Sequence, residues 1–552
     1  MPWPRLMPVD EKTRLMAYGR IFKKVLLPAL ISGLLLTVAF PKTGLSWLAW
    51  VALVPLLFSL ADLSPKACFA AGFFAGWIHF LTLGYWLITT IMTYGGVPLL
   101  PALLFYLGLA ACLAVYFGLF GLLLSWLRAG PTAVMAAVPF IWVGLEFLRA
   151  HLFTGLPWGL LGYSQFERLD LIQIADIAGV YGISFVIVLI NAAVTCLLLW
   201  LTKRPWREMP VKKGTVIVMA TAVLFCLGAS CGYGRWRLGN IADALSTAPT
   251  RTIAVIQGNI NQGQKWDRAF RLAVINKHLA MARRTVDRDP DLIVMPETAM
   301  PFYFFYEQDL TDMVLAAARD TGTFILTGAP AFEIIPGGIL SYNSAFLINP
   351  AGNVLGRYDK THLVPFGEYV PFGQYLPFID KLVTGVGDFT PGTSERILPM
   401  NGCRLGVQIC YEIIFPAICR KMVENGAEII INITNDAWYG RTSAPYQHFS
   451  MTVLRAVENR RSLVRAANTG ISGFIDPTGR IRAETGLFVD STPVYRVPVI
   501  KERTFYNRTG DLLAICCLLV VLFVPARKIH EIIRQKEKNR PAREKHKRSR
   551  QK

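Results

Sequence analysis

Apolar residues along the chain fall into runs of two kinds. Seven long runs precede residue 235, at 25–40, 46–61, 67–91, 97–127, 131–148, 179–201 and 214–234. A helix that crosses a bilayer needs about 20 apolar residues, so each is an expected span. An eighth run lies at 511–526; this one and the first are the short ones. Between the last two runs the pattern changes. Residues 235–510 carry short β-rich runs at Ile253–Gln257, Leu292–Met295, Phe324–Thr327, Ala345–Ile348, Leu405–Ile409, Ile429–Ile433 and Ile471–Ile475. Amphipathic helical stretches at 268–287, 309–321 and 416–425 separate some of them. Strands apolar on both sides, alternating with helices, predict a layered α/β domain. Pro350–Asn353 and Asp476–Gly479 read as hairpin turns. The predicted organisation is a membrane domain over 1–234, a catalytic-type domain over 235–510, an eighth span over 511–526 and a tail over 527–552.

Composition agrees with that division. Of 552 residues, 53% are hydrophobic and 17% charged, with a mean hydropathy of +0.40. These values exclude a disordered chain and an ordinary soluble one. The net charge of +20 is concentrated in three segments: +9 in 527–552, +4 in 1–24 and +4 in 202–213. The rest is near neutral, which argues against a nucleic-acid surface. Lys and Arg favour the cytoplasmic side of a membrane. The N-terminal segment, Lys66, Arg128, the 202–213 loop and the tail fall on one side; only Lys42, Arg149 and Arg168 fall in short loops on the other. Both termini are therefore expected in the cytoplasm and 235–510 outside, which in a bacterium is the periplasm. Residues 1–24 are polar and no small-residue cleavage site follows the first run, so no cleaved signal peptide is expected. The tail is expected to be solvated and disordered, with weak affinity for anionic lipid.

The ten cysteines form no disulfide or zinc pattern. Seven lie in or beside apolar runs, and Cys403, Cys410 and Cys419 lie in the soluble-type stretch. No P-loop, dinucleotide fingerprint or Cys/His cluster is present, so neither a metal nor a cofactor is expected. His79 and Glu146 lie inside spans and read equally as helix-packing groups.

Three polar residues follow strands or stand in loops of the α/β block and can perform one chemistry together. Glu297 ends Leu-Ile-Val-Met-Pro-Glu, Lys360 stands in Arg-Tyr-Asp-Lys-Thr-His, and Cys410 ends Gly-Val-Gln-Ile-Cys. A thiol attacks as thiolate and needs a base or a cation beside it. The carboxylate can take its proton, and the ammonium can hold the oxyanion of a tetrahedral intermediate. His362 and His448 are alternative bases, but Glu297 already fills that role.

In order and local sequence these segments resemble the nitrilase, or carbon–nitrogen hydrolase, superfamily, as does Asn432-Ile-Thr-Asn-Asp-Ala-Trp-Tyr-Gly440. The resemblance implies an αββα-sandwich nitrilase-like domain with a Glu-Lys-Cys triad. Seven spans, such a domain and one more span resemble the apolipoprotein N-acyltransferase family. Gly155-Leu-Pro-Trp158 and Tyr181-Gly-Ile-Ser-Phe185 are also similar to that family. The resemblance implies transfer of an acyl chain from a membrane phospholipid, through a thioester on Cys410, to the N-terminal amine of a diacylglyceryl-cysteine apolipoprotein. It also implies supporting roles for Glu368, Tyr411, Glu412 and Trp266, with Glu368 orienting Lys360 by an ion pair and Trp266 on a loop where lipid enters. Two other classes are open: a membrane-tethered amide or nitrile hydrolase, and a non-enzymatic transporter or scaffold.

Overall fold

The computed structural model of the chain describes residues 22–370 and 389–549. Most of the basic N-terminal segment and the last three residues of the tail lie outside them. Among the described residues six helices are long and apolar enough to cross a membrane: α3 (Pro65–Leu83), α5 (Leu99–Trp126), α6 (Pro131–His151), α7 (Ala175–Leu201), α8 (Lys213–Thr247) and the apolar start of α13 (Leu512–Ser549). The first two expected spans are shorter. One is α1 (Leu27–Val38) behind a π-helical turn. The other is a 3₁₀ turn at Ser46–Trp50 followed by α2 (Val54–Leu60). A broken helix frees backbone groups that lipid cannot satisfy, and here side chains take them. Asn191 on α7 accepts from the Leu53 amide at 2.8 Å and donates to the Ala49 carbonyl at 2.9 Å. Ser32 accepts from the Leu56 amide at 2.9 Å.

The expected span 67–91 is likewise divided, into α3 and α4 (Trp86–Gly95), because α3 ends at Gly84. Ser64 caps the start of α3 and Pro65 fits its first turn, where no amide partner is needed. Lipid supplies no hydrophobic drive for helix pairing, so small residues at the contact decide it. A Cβ on Gly72 would lie 2.1 Å from the Phe117 carbonyl oxygen of α5, so only glycine permits this approach.

Two differences concern helix ends. α8 runs beyond residue 235 to Thr247, so the strands begin only at β1 (Thr250–Val255). Polar residues take over on the last turns, but Arg237 is held there by Asp176 at 2.9 Å. The tail expected to be disordered continues α13 as helix to Ser549. Lys, Arg and Glu are good helix formers, and extending an existing helix avoids the nucleation cost. Arg527 and Glu531, one turn apart, pair at 3.3 Å.

Among the described residues the α/β domain has two six-stranded sheets. The first runs β12 (Val494–Pro498), β1, β2 (Leu292–Val294), β3 (Phe324–Ile335), β4 (Gly338–Ile348), β5 (Val354–Asp359). The second runs β11 (Ile481–Glu484), β10 (Gly473–Ile475), β9 (Ser462–Ala467), β8 (Ile429–Thr434), β7 (Cys403–Ile409), β6 (Ile397–Met400). β1–β2–β3 and β7–β8–β9 are parallel cores with antiparallel flanks. Period-2 alternation divides each strand between two cores. Ile253, Val255, Leu292 and Val294 join the core shared with the second sheet. Ala254, Ile293 and Met295 face helices Arg271–Arg283 and Gln308–Thr321. Helices Pro416–Glu424 and Ala444–Asn459 pack on the second sheet, completing an αββα sandwich.

Candidate active site

Three chain turns bring Glu297, Lys360 and Cys410 to the wall of one cavity of about 490 Å³. Glu297 follows β2. Behind it β3 passes at Gly328, where a Cβ would stand 2.9 Å from the Glu297 Cα. Lys360 follows β5, its amide bonded to the Asn343 carbonyl at 2.9 Å. Cys410 follows β7 in the left-handed region at φ 53°, where the strand turns into a short 3₁₀ helix. A non-glycine residue there carries strain of order 1 kcal/mol, which surrounding contacts must offset.

Glu412 supplies such contacts. Its buried carboxylate accepts from the Ile409 amide at 2.7 Å, the Thr361 amide at 2.6 Å, the Thr361 hydroxyl at 2.9 Å and the Tyr358 hydroxyl at 2.8 Å. It therefore joins the Cys410 turn to the segment carrying Lys360. Burial raises its pKa, and these donors oppose the shift. Tyr411 is buried beside Phe415, ring centroids 5.2 Å apart, and lines the cavity, as does half-buried Trp266.

The electrostatics are those of a paired base and cation. Lys360 Nζ donates to Glu368 at 2.9 Å and stands 3.6 Å from Glu297 Oε1. Burial pulls the lysine's pKa down, but Glu368 and Glu297 more than offset this and hold it above the ordinary range, so it is an ammonium. Burial pushes the Cys410 thiol well up; Glu297 adds to that and Lys360 opposes it. The resting sulfur is consequently a neutral thiol. Glu297 Oε2 is buried and has no hydrogen-bond partner among the described residues.

Two neighbours escaped the sequence reading. Asn343 on β4 donates from its Nδ2 to Glu297 at 2.8 Å and to Glu368 at 3.0 Å, fixing both carboxylates. Lys265 is fully buried and donates to the Glu297 carbonyl at 2.9 Å. Burial lowers its pKa to about 8, with Glu297 and Cys410 opposing. Lys265 stands next to Trp266 in Gln-Lys-Trp-Asp, so the motif pointed to the place but not to the lysine.

The alternative bases do other work. His362 packs on Phe415, ring centroids 3.9 Å apart, and burial together with Lys360 lowers its pKa to about 4. His448 is bound to Asp436 at 3.0 Å and lies beside Arg465 at 2.9 Å. His79 contacts the Thr37 hydroxyl of α1 at 2.9 Å, and Glu146 of α6 accepts at 2.8 Å from the amide of Leu161, which begins a short 3₁₀ turn. Among the described residues no group of three or more His, Cys, Asp or Glu stands together as a metal site.

The cavity crosses from one unit to the other. Phe105 and Leu113 of α5, Trp86 of α4 and Trp158 form wall opposite the triad. The loop after Lys360 rests on the membrane helices through Phe366, whose ring meets that of Phe105 at 5.5 Å. The loop after β8 does so through Trp438, whose carbonyl accepts from Thr90 at 2.9 Å.

Comparison with known proteins divides the chain at the same junction. Residues 32–193 match the family described as the apolipoprotein N-acyltransferase N-terminal domain, and residues 252–499 match the carbon-nitrogen hydrolase family. The apolipoprotein N-acyltransferase of Geobacter metallireducens is 41% identical over 521 residues, covering 94% of this chain and 97% of the relative. That of Chlorobaculum tepidum is 31% identical over 538 residues, covering 91% and 96%. An amidase from Nesterenkonia sp. is similar at 23% identity and a TM-score of 0.34, over 45% of this chain and 90% of the amidase. With a relative of this identity matched almost end to end, the chain belongs to the apolipoprotein N-acyltransferase family.

Proposed function

We propose that the chain moves an acyl chain from a membrane phospholipid to the α-amine of an apolipoprotein's N-terminal diacylglyceryl-cysteine, through a thioester on Cys410. The observation that carries this reading is the cavity: a Glu-Lys-Cys constellation shares one space with the apolar walls of membrane helices. An ester at the bilayer surface can reach the sulfur while its chain remains among apolar side chains.

In the first half-reaction Glu297 takes the Cys410 proton as the sulfur bonds to the ester carbonyl carbon. The oxyanion is held by the Lys360 ammonium. On collapse the carbon–oxygen bond breaks, Glu297 returns the proton to the leaving glycerol oxygen, and lysophospholipid departs. In the second, the acceptor's neutral amine bonds to the thioester carbon and Glu297 takes one amine proton. Breakage of the carbon–sulfur bond yields the amide, and the proton returns to sulfur. Splitting the transfer this way is ping-pong chemistry. Glu368 and Asn343 orient the ammonium and the base, Glu412 holds the nucleophile turn, and Tyr411 and Trp266 bound the acyl path. The charge asymmetry supports a periplasmic catalytic domain with both termini in the cytoplasm.

The test is intact mass spectrometry of the purified chain after incubation with phosphatidylethanolamine alone. One acyl adduct, removed by hydroxylamine and missing from Cys410→Ala, is expected. An adduct on Cys403 or Cys419, or none, refutes the reading.

A further inference from the structure

The hairpin joining β3 to β4 takes no part in the chemistry above, and its last two residue pairs, beyond the Glu333 that pairs with Arg357 at 3.1 Å, carry isoleucine on both faces. Ile334 is 77% exposed, Ile339 65% and Ile335 40%. Ile334 pairs across the hairpin with Ile339, and Ile335 with Gly338. Successive strand residues point to opposite faces, so Ile334 and Ile335 leave neither face polar. Behind the tip is an aromatic collar. The Phe332 ring lies 5.3 Å from that of Tyr303 and 5.1 Å from that of Tyr306, and Tyr306 is 71% exposed.

The direction of the hairpin follows from its neighbour. β3 and β5 both run antiparallel to β4, so they run the same way. β5 leads into the Lys360 loop, which touches α5 through Phe366 and Phe105. β3 therefore also heads for the membrane unit. The Lys360 amide bonds to Asn343, which pairs with Pro330, and this marks the level of the triad on the hairpin. Five more pairs, from Ala331–Tyr342 to Ile335–Gly338, extend past that level. At about 3.4 Å per residue the tip stands roughly 17 Å beyond the triad on the membrane side.

We propose that this tip, Ile334 to Ile339, inserts into the outer leaflet of the bilayer as an additional anchor of the catalytic domain. Tyr303 and Tyr306 then lie at headgroup depth, where tyrosine is enriched. A lipid surface is the occupant because the tip is continuous with the membrane-facing end of the domain. Apolar side chains on both faces of a free ribbon also suit a surrounding solvent of lipid better than a one-sided protein contact. The inference rests on the outward placement of the catalytic domain proposed above, and on no step of its chemistry.

The test uses the full-length chain in nanodiscs of phosphatidylethanolamine and phosphatidylglycerol, with the photo-crosslinker p-benzoylphenylalanine placed at Ile339. A second variant carries it at Ile334, and a control at Asp289, an exposed position at the opposite end of β2. After irradiation, mass spectrometry is expected to find adducts of phospholipid mass at 339 and 334, at least tenfold above those at 289. Lipid adducts no more frequent than at 289, or adducts only to a second copy of the chain, overturn the proposal. The readout needs no turnover, so it stands or falls separately from the acyl-transfer reading.

Discussion

Replacing Glu368 by glutamine removes one negative charge and keeps the shape of the side chain. The carboxylate accepts from Lys360 at 2.9 Å, from Asn343 at 3.0 Å and, through Oε2, from the Val364 amide at 2.8 Å. Glutamine retains one acceptor oxygen, so either Asn343 or the Val364 amide, which bond to different carboxylate oxygens, keeps its partner while the other meets an NH2 group, and the ammonium loses its nearest counter-charge. Removing one partner of a buried ion pair costs about 3–5 kcal/mol. The isostere and the remaining Glu297, 3.6 Å from the ammonium, should cut that to about 2–3 kcal/mol. The larger effect is on function. Among the described residues Lys360 then has Glu297 as its only carboxylate partner, and a closer approach makes that base less able to take the thiol proton. If about 2.7 kcal/mol of this is felt in the transition state, acylation slows roughly 100-fold. The assay is the rise of the acyl adduct in single-turnover mass spectrometry, with folding monitored by detergent-solubilised thermal melts. A Glu368→Gln protein that acylates within about threefold of wild type would show that the pair does not position the ammonium.

Lys360→Ala removes the oxyanion contact proposed for this ammonium and should cost at least about 100-fold in the acylation rate, measured in the same assay. Lys265→Met should raise the melting temperature by a few degrees and lower activity about tenfold, since burying the ammonium opposes folding while its bond to the Glu297 carbonyl holds the base. Because burial holds the folded pKa of Lys265 at about 8, below the ordinary lysine value of 10.5, its protonation opposes folding at neutral pH. That cost lessens as pH rises between the two values; melts from pH 7 to 10 on wild type and Lys265→Met should converge accordingly. A reporter active only in the periplasm should work when joined near residue 300 and fail when joined after residue 530; the opposite pattern refutes the orientation.

The sequence was most legible where one physical signal dominated. Length and hydropathy alone identify α5, α6 and α7. They do not reveal the break at Gly84 or the broken segment 46–60, because apolar residues stand on both sides and the compensating hydrogen bonds come from the distant Asn191 and Ser32. The first charged residues after the apolar run, Arg235 and Arg237, coincide with the end of that run, but not with the end of α8. In the α/β domain, carboxylate and thiol at strand ends pointed to a common chemistry. Asn343 lies within a strand and Lys265 ends the short helix Gln262–Lys265, and nothing local distinguishes either from an ordinary polar residue. Their significance comes from β4 lying beside β3 and from the loop after β1 folding over β2, which are facts of topology.

The most direct test of the acyltransferase account is the discharge of the acylated protein. Wild-type chain loaded from phospholipid should lose its Cys410 adduct when given an acceptor with a free diacylglyceryl-cysteine amine, with the acyl chain recovered as an amide. It should keep the adduct when that amine is acetylated. If water removes the acyl group as fast as the free amine does, the account is contradicted and the site is that of a hydrolase.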